Sequence, residues 1–171
     1  TQLYRQTQFR NIQNQEQIIK ELKKRFSNDI EFKLVAYDVS TPFKEQISQT
    51  HNSDIFMSMH GAGLTHLLFL PDWAAVFEVY NCEDKDCYSD LARLRGVKYF
   101  TWENEAKVYP QDEGKHPQLG TPHKKFTNYS FDIPEFDRML KKMLSYVKSH
   151  PEFVRARNLK FNLNSNNKDE L

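Results

Sequence analysis

The sequence predicts an α/β domain built on a Rossmann-like parallel sheet. Short apolar strands alternate with segments of helical spacing, which is the pattern of a parallel sheet with crossover helices. The chain has 171 residues, 39% hydrophobic and 27% charged, which is typical of one globular domain. Aromatic residues make up 13%, a content that suits strands and a dense core.

Each predicted element follows from local pattern. The strands are short apolar runs bounded by turn residues, at 3–4 (truncated at the start of the chain), 32–37, 54–59, 74–80 and 97–102. Asn14 is placed to cap a first helix, with Gln17 completing a capping box. Further helices are predicted at 42–49, 64–70 and 86–94, and the clearest one begins at Pro134 with an apolar stripe.

The domain is predicted to cover residues 1–150. Within it, residues 103–129 are rich in Pro and Gly and predict a long irregular loop of the functional or mobile kind. Residues 151–171 are predicted to form a flexible tail. The balance of 24 Lys+Arg against 23 Asp+Glu argues against a basic nucleic-acid binder, and no apolar run is long enough to span a membrane.

The last four residues spell the retention signal of the endoplasmic reticulum. They are Lys168, Asp169, Glu170 and Leu171. The sequence therefore predicts a lumenal location in that compartment and recognition by the KDEL receptor. Because such a protein needs an entry signal and none is seen after Thr1, we expect the chain to be the C-terminal part of a longer precursor.

Two features fit an oxidising lumen. Cys82 and Cys87 are close enough in sequence to close a local disulfide loop, and the alternative is two buried thiols. Asn128 begins the triplet Asn-Tyr-Ser, an acceptor pattern for N-glycosylation.

A glycine-rich turn follows the strand 54–59, where ligands of parallel sheets bind. Gly61 and Gly63 would let the backbone approach a ligand, and the amides of a helix N-terminus favour an anion. His60 is placed to donate to a phosphate or sugar oxygen. His66 lies nearby, but no suitably spaced carboxylate or thiol joins the two histidines, so a metal site is not predicted. The alternative is a tight turn in which glycine serves packing.

Three charged residues lie where they could join such a site. Arg5 and Arg10 follow the first strand, and guanidinium groups suit phosphate oxygens; the alternative is a pair of solvated surface arginines. Glu78 interrupts an apolar strand, so it lies either on an exposed face or at the ligand end, where it could bind ribose hydroxyls.

The chain resembles the family of EGF-domain-specific O-linked N-acetylglucosaminyltransferases. The resemblance runs from about residue 3 to the end, apart from 158–167, and its motifs are SMHGAGLTH with LLFLP (58–71), FEVYNCED (77–84), DLARLRGV (90–97), KFTNYSFD (125–132) and the terminal KDEL. Enzymes that build on O-mannose or add xylose to plant N-glycans share the HGA turn but not the Cys82 region.

The resemblance implies the C-terminal, donor-binding half of a GT-B type glycosyltransferase. It implies inverting transfer of N-acetylglucosamine from UDP-GlcNAc to Ser or Thr of EGF-like domains, without a required metal. Donor-binding residues are then expected at Arg5, Arg10, His60, Gly61, Ala62, Gly63, Leu64 and Thr65, with Glu78 as ribose candidate. No residue of the chain is assigned as the general base. We expect that base in an absent N-terminal half, so the chain alone is expected to be inactive.

Two other readings stay open at this point. One is a non-catalytic lumenal binding module that uses a Rossmann-like shell. The other is a related transferase with another donor or acceptor.

Overall fold

The computed structural model describes residues 2–4, 10–27, 30–37, 40–82 and 84–166, with side chains between residues 10 and 159 of these ranges. Within them, five parallel strands form one sheet in the order β2-β1-β3-β4-β5. The strands are β1 (Gln2–Tyr4), β2 (Lys33–Val35), β3 (Ile55–Ser58), β4 (Ala75–Glu78) and β5 (Lys98–Thr101). The predicted parallel α/β sheet is therefore confirmed, with β2 to β5 shorter than predicted and β1 one residue longer.

The order of the strands places the helices on both faces of the sheet. The chain moves from β1 to β2 in one direction and from β3 through β5 in the other, and crossovers of one hand then put their helices on opposite faces. The helices are α1 (Gln15–Arg25), α2 (Phe43–His51), α3 (Cys87–Arg95), α4 (Ile133–Ser149), α5 (Pro151–Asn166), and a 3-10 helix, Ala62–Phe69, between β3 and β4.

The strands alternate side chains between two cores. One face of β3 and β4 packs Met57 and Phe77 against α1 and α4, and Phe136 of α4 lies edge-on to Phe77 at 5.6 Å. The other face packs Phe56 and Val76 against the 3-10 helix and α3. Because both faces are covered, β3 and β4 are buried along their whole length, as the apolar runs predict.

Three expectations about local structure are wrong. Asn14 precedes α1, but its side chain makes no capping bond; Asn14 Nδ2 donates to the Phe131 carbonyl, and Asn14 Oδ1 accepts from the Phe131 amide. The tertiary partner displaces the predicted capping box. Residues 103–129 are not wholly irregular, because β6 (Val108–Pro110) pairs antiparallel with β7 (Tyr129–Phe131).

The third correction concerns the predicted tail. Residues 151–166 form α5, which begins at Pro151, a residue whose fixed φ suits a first helical turn. Phe153 of this helix packs on Trp73, with ring centroids 6.2 Å apart, so the segment is held by tertiary contact. Residues 168–171 lie outside the described residues. No helix in the described part of the chain is long and apolar enough to cross a membrane.

Candidate functional site

The carboxyl edge of the sheet carries polar residues at the ends of three neighbouring strands. Ser58, Glu78 and Thr101 are paired in register as the last residues of β3, β4 and β5. Successive strands are added to one side of β1 first and then, from β3 onward, to its other side. The turn after β3 therefore lies at the topological switch point of the sheet. Ligands of open parallel sheets bind in the crevice at this point. The HGAG turn therefore stands where a ligand is expected.

Gly61 has a backbone conformation that other residues rarely adopt. Its φ is 153° and its ψ is 173°, a region populated essentially by glycine. A Cβ at this position would lie 2.7 Å from Nη1 of Arg10. Gly63, by contrast, is not among the glycines with positive φ. A close approach therefore occurs at Gly61, and the group that approaches it is the Arg10 guanidinium.

Arg10 joins the turn through a second contact. Its Nη1 donates to the carbonyl of His60 over 2.7 Å, across 50 residues of sequence. Arg10 itself has a positive φ of 63°. The structure therefore brings Arg10 to the HGAG turn, as predicted, while Arg5 lies outside the described residues.

His60 is buried and fixed on several sides. Its side chain is 2% exposed, and Nδ1 lies 2.5 Å from Oε1 of Glu78. Its backbone amide donates to the Tyr80 carbonyl over 3.3 Å. The ring of Tyr88 stands edge-on to the imidazole, with centroids 5.2 Å apart. The Nε2 atom is 3.6 Å from Oδ2 of Asp84, which is beyond hydrogen-bond distance.

Glu78 lies at the ligand edge but faces the interior. It is fully buried; Oε1 contacts Nδ1 of His60, and Oε2 accepts from the Tyr99 hydroxyl over 2.5 Å. With both oxygens engaged in the interior, this geometry disfavours contact with a ribose and favours an orienting role. Tyr99 was not predicted from sequence, although a tyrosine in the neighbouring strand is a feature that could have indicated it.

Electrostatics keep both tyrosines of the site protonated. Burial, with the nearby Cys87 and Glu78 charges, raises the pKa of Tyr88 to about 12. Burial also raises the pKa of Tyr99, and the hydrogen bond to Glu78 adds to the effect. Both hydroxyls therefore remain neutral at physiological pH, and Tyr99 can serve only as a donor to the Glu78 carboxylate.

The helix that follows the turn supplies fewer amides than predicted. The Leu64 amide donates to the Gly61 carbonyl over 2.9 Å, and Leu64 is fully buried. The Thr65 hydroxyl donates to the Ala62 carbonyl over 2.7 Å. The first amides of a helix have no intrahelical acceptor, so those of Ala62 and Gly63 are the candidates for contact with an anion.

A cavity of about 580 Å³ opens beside the same edge. Tyr80, whose carbonyl binds the His60 amide, forms one wall, and the remaining walls come from residues 105–129. Gly114 allows this region to close, because its amide donates to Oγ1 of Thr127 and a Cβ would lie 2.2 Å from the Thr127 nitrogen. The segment predicted as a functional loop therefore lines a cavity next to the HGAG turn.

The sequence predicted a disulfide between Cys82 and Cys87 and N-glycosylation at Asn128. Cys82 and Cys87 are free thiols, so the predicted disulfide is wrong for this structure. Cys82 is buried beside the Tyr80 carbonyl, whereas Cys87 is exposed at the start of α3. Asn128 donates through Nδ2 to Asp112 over 2.5 Å, so its glycosylation stays an untested prediction at an amide that is already engaged.

No group of three or more His, Cys, Asp or Glu side chains that could hold a metal occurs in the described part of the chain. His66 instead lies in an aromatic cluster, stacked on Tyr37 at 5.3 Å. Its Nδ1 lies 3.1 Å from the Gly63 carbonyl. Burial lowers the pKa of His66, and the bond to Gly63 opposes this in part.

The chain is thus a parallel α/β domain with a glycine-rich turn at the switch point of its sheet, where ligands of such sheets bind. Comparison with known families makes this class more specific, because residues 3–77 match Glycosyltransferase 61.

Over nine-tenths of its length the chain is similar to curated EGF domain-specific O-linked N-acetylglucosamine transferases. It is 54% identical over 154 residues to the one from Xenopus laevis, which is 90% of this chain and 29% of that protein. The relative from Rattus norvegicus is 52% identical over 159 residues, 92% of this chain and 30% of the relative. The relative from Drosophila melanogaster is 51% identical over 155 residues, 91% of this chain and 29% of the relative. The resemblance inferred from the sequence is confirmed, and the chain spans less than a third of these relatives.

Proposed function

We propose that the chain is the donor-binding part of a GT-B type glycosyltransferase. The protein it belongs to would transfer N-acetylglucosamine from UDP-GlcNAc to Ser or Thr of EGF-like domains. The similarity to relatives that bear this name, over nine-tenths of the chain, carries the proposal. The geometry supports it, because Arg10 and the HGAG turn meet at the switch point of the sheet.

The residues of this edge have distinct tasks in the proposed reaction. The acceptor hydroxyl oxygen attacks the anomeric carbon, the bond from that carbon to the UDP oxygen breaks, and UDP leaves with the electron pair. The Arg10 guanidinium and the amides of Ala62 and Gly63 would stabilise the charge that develops on the diphosphate. His60, with a proton on each ring nitrogen, would donate from Nε2 to a phosphate oxygen.

The acceptor side is proposed to lie elsewhere in the protein. A general base must take the proton of the acceptor hydroxyl, and no described residue of this chain is assigned to that task. Because the chain spans about 29% of its relatives, the base and the groove for the EGF-like domain are proposed to come from the rest of the protein. The chain alone is therefore expected to bind the donor without transferring the sugar.

Metal independence and lumenal location are part of the same proposal. Cationic and amide groups at the turn would stabilise the negative charge of the departing diphosphate, which a divalent ion does in other sites. The terminal sequence KDEL supports retention in the endoplasmic reticulum through the KDEL receptor. Removal of these four residues from the protein in cells should shift it from the lumen to the medium.

The decisive experiment is calorimetric titration of the purified chain with UDP, UDP-GlcNAc and GDP in the presence of EDTA. We expect the uridine ligands to bind and GDP to bind at least about ten-fold more weakly. Arg10→Gln should weaken UDP binding about ten-fold or more, because a charged donor to the diphosphate is lost.

Arg93→Gln is the matched control for this titration. Arg93 is an exposed arginine that pairs with Asp90 on the surface of α3. It should bind UDP like the parent. A cooperatively folded chain that gives no heat with either uridine ligand, or that binds GDP equally well, would rule out the donor site.

A further inference from the structure

A buried polar cluster stands directly behind the HGAG turn. It consists of His60, Glu78 and Tyr99, with Glu78 fully buried and both of its oxygens 2.5 Å from a donor. Burial of a carboxylate costs free energy even when it is paired, and apolar replacement of such groups is often neutral or stabilising. Stability alone is therefore weak grounds for the presence of this cluster, and its place at the ligand edge indicates a role in the site.

The cluster fixes the tautomer of His60. A carboxylate can only accept, so the proton shared with Glu78 Oε1 belongs to Nδ1, and Nε2 is left 3.6 Å from Oδ2 of Asp84. The backbone of His60 is fixed as well, by the Tyr80 carbonyl and by Arg10. Rotation of the ring would break the contact with Glu78 and the edge contact with Tyr88. Nε2 is thus the ring atom that remains for a ligand.

An anionic oxygen already lies beside Nε2. Oδ2 of Asp84 is 3.6 Å from it, and the Asp84 side chain is 52% exposed in the loop between β4 and α3. A carboxylate oxygen at this position shows that the space beside Nε2 is wide enough for a phosphate oxygen. Because the side chain is half exposed, it can turn into solvent when a phosphate oxygen takes its place.

We propose that Glu78 and Tyr99 are positioning residues that hold His60 with Nε2 facing the diphosphate of the donor. Nδ1–H stays on Glu78, and the imidazole takes a second proton on Nε2 together with the bound phosphate, so that Nε2–H donates to a phosphate oxygen. The inference rests on the proposed donor site. Glu78 acts on the imidazole directly, and Tyr99 acts through Glu78 by fixing its second oxygen. Neither residue touches the donor, which separates this role from the ribose contact predicted for Glu78.

The test combines donor affinity with a direct observation of the tautomer. Variants Glu78→Gln and Tyr99→Phe remove the charge and the hydroxyl with little change of shape, and Tyr146→Phe removes a tyrosine hydroxyl on α4, where its ring packs on Phe100. The chain is labelled with ¹⁵N in histidine, and two-bond ¹H–¹⁵N spectra report which nitrogen is protonated. A His60→Gln variant assigns the signal among the six histidines.

In the parent chain, the spectra should show His60 protonated at Nδ1, and at both ring nitrogens once UDP is bound. Glu78→Gln and Tyr99→Phe should mix the tautomers and weaken UDP binding by about three- to ten-fold, while Tyr146→Phe changes neither. UDP affinities equal to the parent, or an unchanged His60 signal in both variants, would overturn the positioning role. If the parent chain does not bind UDP, the result is different, because it rejects the donor site and the positioning role with it.

Discussion

Substitution of Gly61 by alanine tests the geometry of the HGAG turn most directly. In the structure this glycine has φ 153° and ψ 173°, and a Cβ at this position would lie 2.7 Å from Nη1 of Arg10. Gly96 offers a matched control, because it also has a positive φ, 84°, at the C-cap of α3. A Cβ at Gly96 meets nothing within 4 Å. The two variants therefore share backbone strain and differ in steric contact.

The structure gives the expected magnitudes. Alanine in the conformation of Gly61 costs about 1–3 kcal/mol in backbone strain. The new methyl group also displaces the guanidinium from its 2.7 Å contact with the His60 carbonyl, and a hydrogen bond from a charged donor contributes about 1.5–3 kcal/mol. Together Gly61→Ala should destabilise the chain by about 2–5 kcal/mol, whereas Gly96→Ala should cost about 1–2 kcal/mol.

The assay is urea unfolding followed by circular dichroism, with UDP titration of each folded variant. The midpoint should fall further for Gly61→Ala than for Gly96→Ala with a similar slope, because the surface exposed on unfolding is unchanged. UDP affinity should fall about ten-fold or more for Gly61→Ala, since Arg10 is displaced, and stay at the parental value for Gly96→Ala. Equal stability and equal affinity of the two variants would refute the argument.

Two further predictions concern groups outside the turn. Asn128→Asp should destabilise the chain by about 1–3 kcal/mol, because it replaces the donor to Asp112 by a like charge. Asn158→Asp, at an exposed position of α5, is the control. Equal urea midpoints for the two variants would contradict the reasoning. The Arg138 hydrogen bond holds the pKa of Glu135 below its usual range, so its stabilisation is present above about pH 4.3, the unfolded value, and is lost as the pH falls through the folded pKa. Unfolding at about pH 6 and about pH 3.5 should therefore show a smaller acid loss for Glu135→Gln than for the parent, and identical losses would show that the pair does not act this way.

Periodicity predicted the sheet and its main helices well, because burial against both faces leaves a clear pattern. The apolar runs of β3 and β4 and the stripe of α4 are examples, and each is buried as expected. The pattern did not predict local structure where contacts between residues far apart in sequence determine it. The strands β6 and β7 have three residues each and are specified by pairing across the segment between them. Asn14 looks like a cap, yet its side chain binds Phe131, 117 residues away.

The candidate site divides in the same way. The sequence showed the HGAG turn after a strand, the arginine after β1 and an acidic residue in an apolar strand, because strand ends and glycines are local features. It did not indicate that Arg10 approaches Gly61, because only the folded chain brings these two residues together. It also left open whether Glu78 lies on an exposed face or at the ligand end as a ribose candidate, because the direction of a side chain at a strand end depends on its neighbours.

The sequence by itself determined the class of the protein: a parallel α/β domain with a glycine turn at a strand end, and motifs that place it among the glycosyltransferase relatives. These depend on residue type, local spacing and identity, all of which can be read along the chain. Only the tertiary structure decided that Arg10 supports the turn, that Glu78 and Tyr99 hold His60, and that residues 105–129 enclose a cavity. Such contacts join residues far apart in sequence. Their geometry follows from how the layers pack.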